Sequence, residues 1–520
     1  MRFHVENFGC RSNQADGAAL AEQLRAAGHA RAAAPEQADL VILNTCTVTA
    51  AADQQVRQRI RQLHRQQPRG GIVVTGCYAQ RAPQELALLP GVACVVGNSH
   101  KSEIPLLLER ELHAAPAARR ATAEAAGLDS RRGVHLFQFN PVAPLSRVPP
   151  AGHGRLAGSR DATGELSIAE RPAKIITSDI FTATTLAAGP VPKFNPVAPA
   201  TGEFANDNRT RPTLKIQDGC NHRCAYCVIP FVRGRARSLP PEEVLAAIRR
   251  WVAAGVQEVV LSGLDLGSYG RDLPAQAGLP GLARQKRSPL LVLTERILAE
   301  TPLPRLRFSS IEPADLTPEF LRLLAASDRI ARHIHAPLQS GSNRILRRMY
   351  RPYRAEDYAA RIRAAAEKLP NLGLGADVIV GFPGETESDF AATCRLVEQL
   401  PFSYLHVFSF SKRPGTRACD LSDEVPLAAI QQRARTLRAL AAEKQRRFRQ
   451  AQVGRSLKLL TLRRTRADSR IEALSENYLK VVLDGVDVQP NRLLWVRITG
   501  VEGDRLLGVP VPPPGIPGCG

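Results

Sequence analysis

Strand-like and helix-like runs alternate twice along this chain, and both times cysteines stand at strand ends. In the first hundred residues "RFHVENFG", "ADLVILNT" and "GIVVTG" read as strands. Between them lie the amphipathic helical run "QADGAALAEQLRAAGH" and the basic run "AAADQQVRQRIRQLHRQQ". Such alternation implies a parallel sheet. Cys10, Cys46 and Cys77 each follow one of the three strands directly. Parallel strands share one C-terminal edge, the edge where open α/β sheets bind ligands, so three thiols far apart in sequence are expected to converge there.

The second block runs from Thr213 to about Ser411 and holds six strand candidates: "TLKIQ", "EVVLSG", "RLRFSS", "HIHAPLQ", "ADVIVGF" and "YLHVFSF", with helical runs between them. Six such units predict a partial (β/α)6 barrel whose chemistry sits at the C-terminal mouth of the strands. The polar clusters "DGC", "GLDLGSYG", "SIEP", "QSGSNR" and "GFPGETESD" after those strands fit an active-site rim. The first cluster opens "DGCNHRCAYCVIP", where Cys220, Cys224 and Cys227 are spaced by four and three. A structural zinc site closes with a fourth ligand, commonly in two close pairs, and no second pair is near. Three thiolates suit a [4Fe-4S] cluster with one iron left open. His222 lies inside the tight ligand loop and reads as a loop histidine rather than a fourth ligand. Cys94, Cys394, Cys419 and Cys519 read as structural or incidental.

At 520 residues, 44% of them hydrophobic, the chain exceeds one ordinary domain and can bury more than one core. We place a cluster domain at 1–112, a partial-barrel core at 210–445, a small antiparallel β-barrel of RNA-binding type at 446–510, and a tail at 511–520. Residues 113–209 are rich in Pro, Ala, Gly and Arg without sustained periodicity, and are expected to be a mostly disordered insertion; within them "FNPVAP" occurs at 139–144 and again at 194–199. The 70 Lys+Arg against 49 Asp+Glu give +21. That excess favours a polyanionic partner, nucleic acid or an acidic membrane surface, although an Arg-rich coding bias produces the same number. The N-terminus lacks a signal-peptide profile and no apolar run is long enough to span a bilayer, so a cytoplasmic protein with reduced cysteines is expected.

The CxxxCxxC spacing, the aromatic Tyr226 before its last cysteine and its place after the first strand resemble the radical S-adenosylmethionine superfamily. Together with Cys10, Cys46 and Cys77 and the terminal barrel, the chain resembles its methylthiotransferases over about residues 1–112 and 211–510. The resemblance implies two [4Fe-4S] clusters. The open iron at Cys220, Cys224 and Cys227 chelates S-adenosylmethionine, which is cleaved to a 5'-deoxyadenosyl radical, and the second cluster carries the sulfur. It implies tRNA as substrate, presented by its anticodon loop, with an electron donor and a sulfur source as further partners and no membrane. The runs "LGSYGRD" and "SSIEP" resemble the branch that methylthiolates C2 of N6-threonylcarbamoyladenosine at tRNA position 37. The alternatives are isopentenyladenosine in tRNA, an aspartate of a ribosomal protein, and a non-enzymatic Fe–S RNA-binding or redox-sensing protein.

On that basis Tyr226, Gly263, Asp265, Ser310, Gln339, Ser340 and Asp377 are candidate cofactor contacts on the rim. Glu312 is placed to meet the polar substituent of the modified base. Arg233, Arg235 and Arg237, following the cluster loop, are candidates to neutralise the phosphate backbone, and Arg492 and Arg497 to help dock RNA on the terminal barrel. The long insertion departs from the family, which has a much shorter linker there, and leaves all six ligands untouched.

Overall fold

A computed structural model describes residues 1–68, 70–113, 173–183, 210–274, 287–464, 470–484 and 488–513. They fall into two compact units. The first takes the described residues within Met1–Pro192 together with Val228–Arg235 and Arg413–Gly415, and the second takes the remainder. Both copies of "FNPVAP" lie outside the described residues.

The first unit is a six-stranded parallel sheet in the order β2-β1-β3-β4-β5-β6. Its strands are β1 (Arg2–Asn7), β2 (Ala30–Arg31), β3 (Leu40–Thr45), β4 (Gly71–Gly76), β5 (Val92–Val96) and β6 (Lys174–Ile176). Side chains alternate across a pleated strand, so β3 serves two cores at once. Val41 and Leu43 pack with Val56, Ile60 and Leu63 of the helix Ala50–Gln66. Leu40 and Ile42 face the other way, onto Leu20, Ala21 and Leu24 of the helix Arg11–Ala26. Each fully buried Leu, Ile or Val contributes roughly 1.5–3 kcal/mol, and these two layers hold the sheet edge rigid under the cysteines. The expectation of a mostly disordered insertion needs correction at residues 173–183. There β6 pairs in parallel with β5, Cys94↔Lys174 through Val96↔Ile176. A three-residue edge strand is too short to leave a periodicity in the sequence.

In the second unit the six expected strands form two parallel three-stranded sheets, β11-β10-β7 and β12-β13-β14. The strands are β7 (Thr213–Lys215), β10 (Glu258–Ser262), β11 (Arg305–Phe308), β12 (His333–His335), β13 (Gly373–Val380) and β14 (Tyr404–Ser409). Parallel bridges Leu306↔Ile330 and Ser310↔His335 join the two halves. The short strands β8 (Gln217–Asp218) and β9 (Arg237–Ser238) bracket the cluster loop.

After the 24-residue helix Leu427–Gln450, five strands close a barrel in the order β15-β16-β17-β19-β18. They are β15 (Ser456–Arg464), β16 (Ile471–Ser475), β17 (Lys480–Leu483), β18 (Leu493–Glu502) and β19 (Arg505–Val511). The barrel is not wholly antiparallel as expected, since β17 and β19 pair in parallel; closing an odd number of strands forces one such pair. A buried ion cluster ties it to the partial barrel. Glu258, fully buried, accepts from Arg305 at 2.5 Å and from Arg307 at 2.8 Å, and the same guanidiniums donate to the carbonyls of Lys458, Leu474, Ser475 and Glu476. Gly373 has no side chain because a Cβ there would lie 2.2 Å from the Asn477 carbonyl oxygen.

Candidate iron–sulfur centres

The sequence builds the first centre with glycines. Gly9, at φ +88°, precedes Cys10, and a Cβ there would sit 2.6 Å from Cys46 Sγ. Gly76, at φ +101°, precedes Cys77, and a Cβ there would lie 2.4 Å from the Thr45 carbonyl oxygen. Only residues without side chains let β1, β3 and β4 bring their following cysteines this close. Cys10 is exposed, whereas Cys46 and Cys77 are buried. Burial pushes the Cys46 thiol up to about 12, and the neighbouring Cys77 and Cys10 push it the same way. The three expected thiols therefore do converge.

Cys77 receives two donors, Arg233 Nε at 3.2 Å and Asn98 Nδ2 at 3.6 Å. N–H groups aimed at sulfur fit a thiolate that ligates metal. Arg233 was expected to meet phosphate, and that expectation is overturned: its side chain is fully buried in the first unit, 2.7 Å from Asp16. Arg237 is likewise buried, 3.8 Å from Asp218. Arg235 alone of the three is exposed. Sequence proximity to the cluster loop carried no signal of burial, because the chain after Cys227 turns into a short helix, Ile229–Arg233, that belongs to the first unit.

At the second centre, Gln217 orders the loop. Its amide donates to the carbonyls of Asp218 (3.0 Å) and Gly219 (2.8 Å), and its oxygen accepts from the backbone N–H groups of Leu264 and Asp265, both at 2.9 Å. Gly263 makes room for it, since a Cβ there would come within 2.8 Å of Gln217 Oε1. Asp265 is buried, with its carboxylate 4.0 Å from Cys220 Sγ and 3.3 Å from His222 Nε2. Asn221, His222, Asp265, Ser268, Arg271 and Asp272 line a pocket beside Cys220. Tyr226 packs on the cluster of Ala225, Ile345, Met349, Phe382 and Ala418, and burial raises its phenol well above the ordinary value.

Sequence reasoning missed Arg351. This buried guanidinium donates to Cys224 Sγ at 3.2 Å, pairs with Glu312 and lies 5.0 Å over the Tyr353 ring. Glu312, expected at the substrate, pairs with that guanidinium through one carboxylate oxygen and keeps part of its side chain exposed. A periodic reading has no means to find such a residue, which lies 127 positions from its cysteine. Ser340 is fully buried, its hydroxyl within a turn that includes Thr393 and the Ser342 N–H; it is a structural hydroxyl rather than a cofactor contact. Gln339 adopts φ +65° beside it. Ser310 Oγ lies 2.8 Å from His335 Nδ1, and Asp377 Oδ1 lies 3.1 Å from both His335 Nε2 and His406 Nδ1. The two histidines hold the Asp377 carboxyl below its ordinary range against the opposing effect of burial.

The donor sets fit clusters rather than single ions. Sulfurs of a tetrahedral zinc, each at about 2.3 Å from the metal, lie only about 3.8 Å apart. Among the described residues the one set of three His, Cys, Asp or Glu ligand atoms mutually within 4.8 Å is His335, Asp377 and His406. Neither cysteine trio closes that far, and each has the three thiols that an open [4Fe-4S] cluster requires.

Residues 2–97 match the "Uncharacterized protein family UPF0004" model and residues 214–397 the "Radical SAM superfamily" model. The threonylcarbamoyladenosine tRNA methylthiotransferase MtaB of Bacillus subtilis (strain 168) is 32% identical over 95% of this chain and 93% of its own. The chain belongs to the radical S-adenosylmethionine methylthiotransferases. The tRNA-2-methylthio-N(6)-dimethylallyladenosine synthase of Sorangium cellulosum (strain So ce56) is 33% identical over 82% of this methylthiotransferase and 74% of its own length. A solved radical S-adenosylmethionine methyltransferase, TsrM from Kitasatospora setae, is similar at TM-score 0.48 and 17% identity, covering 80% of this chain and 76% of that one. The cofactors of this methylthiotransferase are accordingly S-adenosylmethionine and two [4Fe-4S] clusters. No helix among the described residues is long and apolar enough to cross a membrane.

Proposed function

We propose that this enzyme replaces the C2 hydrogen of N6-threonylcarbamoyladenosine at tRNA position 37 by a methylthio group, giving the 2-methylthio nucleoside. The observation that carries the reading is the pair of three-thiol sets, each at the C-terminal edge of its own parallel sheet. Support for the branch comes from the runs "LGSYGRD" and "SSIEP" and from the length over which the Bacillus subtilis relative matches. The Sorangium cellulosum relative, at similar identity, favours a second reading in which isopentenyladenosine is the substrate.

Cys220, Cys224 and Cys227 would hold one cluster and Cys10, Cys46 and Cys77 the other. With S-adenosylmethionine bound, the first cluster supplies a carbon radical able to remove an aromatic hydrogen, which no acid or base side chain can do. The protein's part is positional. Gln217 fixes the loop that presents Cys220, Arg351 holds Cys224, and Asp265 stands beside Cys220 as a candidate cofactor contact. The exposed Arg235, Arg492 and Arg497 offer cations to an RNA backbone.

Mass spectrometry of tRNA nucleosides from cells with and without this gene tests the reading. Loss of 2-methylthio-N6-threonylcarbamoyladenosine with accumulation of its precursor is the expected result. An unchanged level of that nucleoside would overturn the branch, and loss of the isopentenyl counterpart in the same trace would establish the second reading.

A further inference from the structure

Three metal-ligating side chains, with no cysteine among them, meet on the sheet β12-β13-β14. His335 ends β12 opposite Gly375 of β13, Asp377 lies two residues further along β13 and so on the same face as Gly375, and His406 of β14 is the direct register partner of Asp377. Asp377 Oδ1 lies 3.1 Å from His335 Nε2 and 3.1 Å from His406 Nδ1. One ligand atom from each residue falls within 4.8 Å of the others. Donor atoms about 2.0–2.2 Å from one ion stand roughly 2.8–3.6 Å apart at octahedral to tetrahedral angles, so the two short separations already match a shared cation. The His406 ring is exposed, and a small rotation of it closes the third side.

His335 separates this arrangement from an ordinary histidine–aspartate pair. It is 7% exposed, yet its Nε2 makes no hydrogen bond among the described residues, although Asp377 Oδ1 is 3.1 Å away. A buried ring nitrogen left without a partner is costly. The other nitrogen is engaged: Nδ1 lies 2.8 Å from Ser310 Oγ, and Tyr404 stacks on the ring at 5.9 Å and 16°. In the tautomer that donates Nδ1–H to Ser310, Nε2 turns a lone pair toward a carboxylate oxygen, and a cation between them relieves both. Ligating histidines are commonly oriented through their second nitrogen in this way.

We propose that His335, Asp377 and His406 form a mononuclear site for a divalent first-row transition ion, zinc or ferrous iron, separate from both cysteine trios. Two imidazoles and one carboxylate suit such ions, whereas magnesium and calcium prefer all-oxygen shells. Three protein ligands leave further positions for water or for an oxygen or nitrogen atom of a bound molecule, as in catalytic rather than structural zinc sites.

The test uses the full chain loaded anaerobically with both [4Fe-4S] clusters, so that the six cluster cysteines are occupied. Zinc ions are the probe. Equilibrium dialysis measures how many bind and how tightly, and X-ray absorption at the zinc edge, which cluster iron does not obscure, identifies the neighbouring atoms. The parent should bind a single zinc ion in preference to magnesium, with nitrogen and oxygen neighbours at about 2.0–2.2 Å and no sulfur shell near about 2.3 Å. Loss of an orienting contact typically weakens metal binding about ten- to a hundredfold, so Ser310→Ala should raise the zinc dissociation constant about tenfold and loss of a ligand in His406→Gln about a hundredfold or more. His335→Gln should do the same, and His406→Gln decides the matter if the buried variant does not fold, because His406 is exposed. A parent that binds no zinc, zinc held through sulfur, or an unchanged dissociation constant in His406→Gln would each overturn the proposal.

Discussion

Gly76 shows how much one missing side chain decides. Its φ of +101° and the 2.4 Å approach that a Cβ would make to the Thr45 carbonyl oxygen leave Ala no relaxed position. Gly76→Ala should destabilise the first unit by about 1–3 kcal/mol and lower the iron bound by Cys10, Cys46 and Cys77, checked by thermal unfolding and iron analysis. Asp315 carries a different signature. Burial pushes its carboxyl up to about 6 despite Arg271 at 3.5 Å. A raised carboxyl binds its proton more tightly folded than unfolded, so its contribution is complete below about pH 4 and is lost as pH rises through 6. Stability should fall by up to about 3 kcal/mol across that window, and Asp315→Asn should flatten the fall in denaturant titrations run at successive pH values.

Among elements, β10 and β11 tie the partial barrel to the terminal one through Glu258. Glu258, opposite Arg305 in register, pairs with three guanidiniums, those of Arg305, Arg307 and Arg211, and they hold its carboxyl well below the ordinary range against the opposing pull of burial. A depressed carboxyl stabilises above its unfolded value and loses that contribution as pH falls. Glu258→Gln leaves Arg305 and Arg307 buried without their counter-ion, and should cost about 3–5 kcal/mol in urea unfolding, with the terminal barrel the first to become accessible to protease. In sequence these residues read only as polar positions within apolar strands. The alternation that announced the strands was legible. The partner that made buried charge tolerable was not, because it came from a strand paired 47 residues away.

For the whole molecule, the charge of +21 is an unreliable map of where RNA docks. Much of the arginine near the clusters is structural: Arg233, Arg237, Arg351 and Arg413 are all buried, and Arg413 lies 2.6 Å from Asp53. The exposed Arg235, Arg492 and Arg497 are the expected partners of the phosphates. Replacing all three by Gln should weaken tRNA binding and reduce the slope of log affinity against log salt by about 0.7 for each phosphate no longer neutralised, measured by fluorescence anisotropy at several salt concentrations.

By itself the sequence determined the strand–helix alternation, the six thiols at strand ends and hence the cluster chemistry, because period and spacing are local properties that survive in one dimension. The tertiary structure decided which charges are buried and what they touch. It set Arg233 on Cys77 and Arg351 on Cys224, each backed by a carboxylate. It also gave the first unit an edge strand from within the insertion. Burial and pairing depend on residues brought together from far along the chain, and no local pattern encodes them.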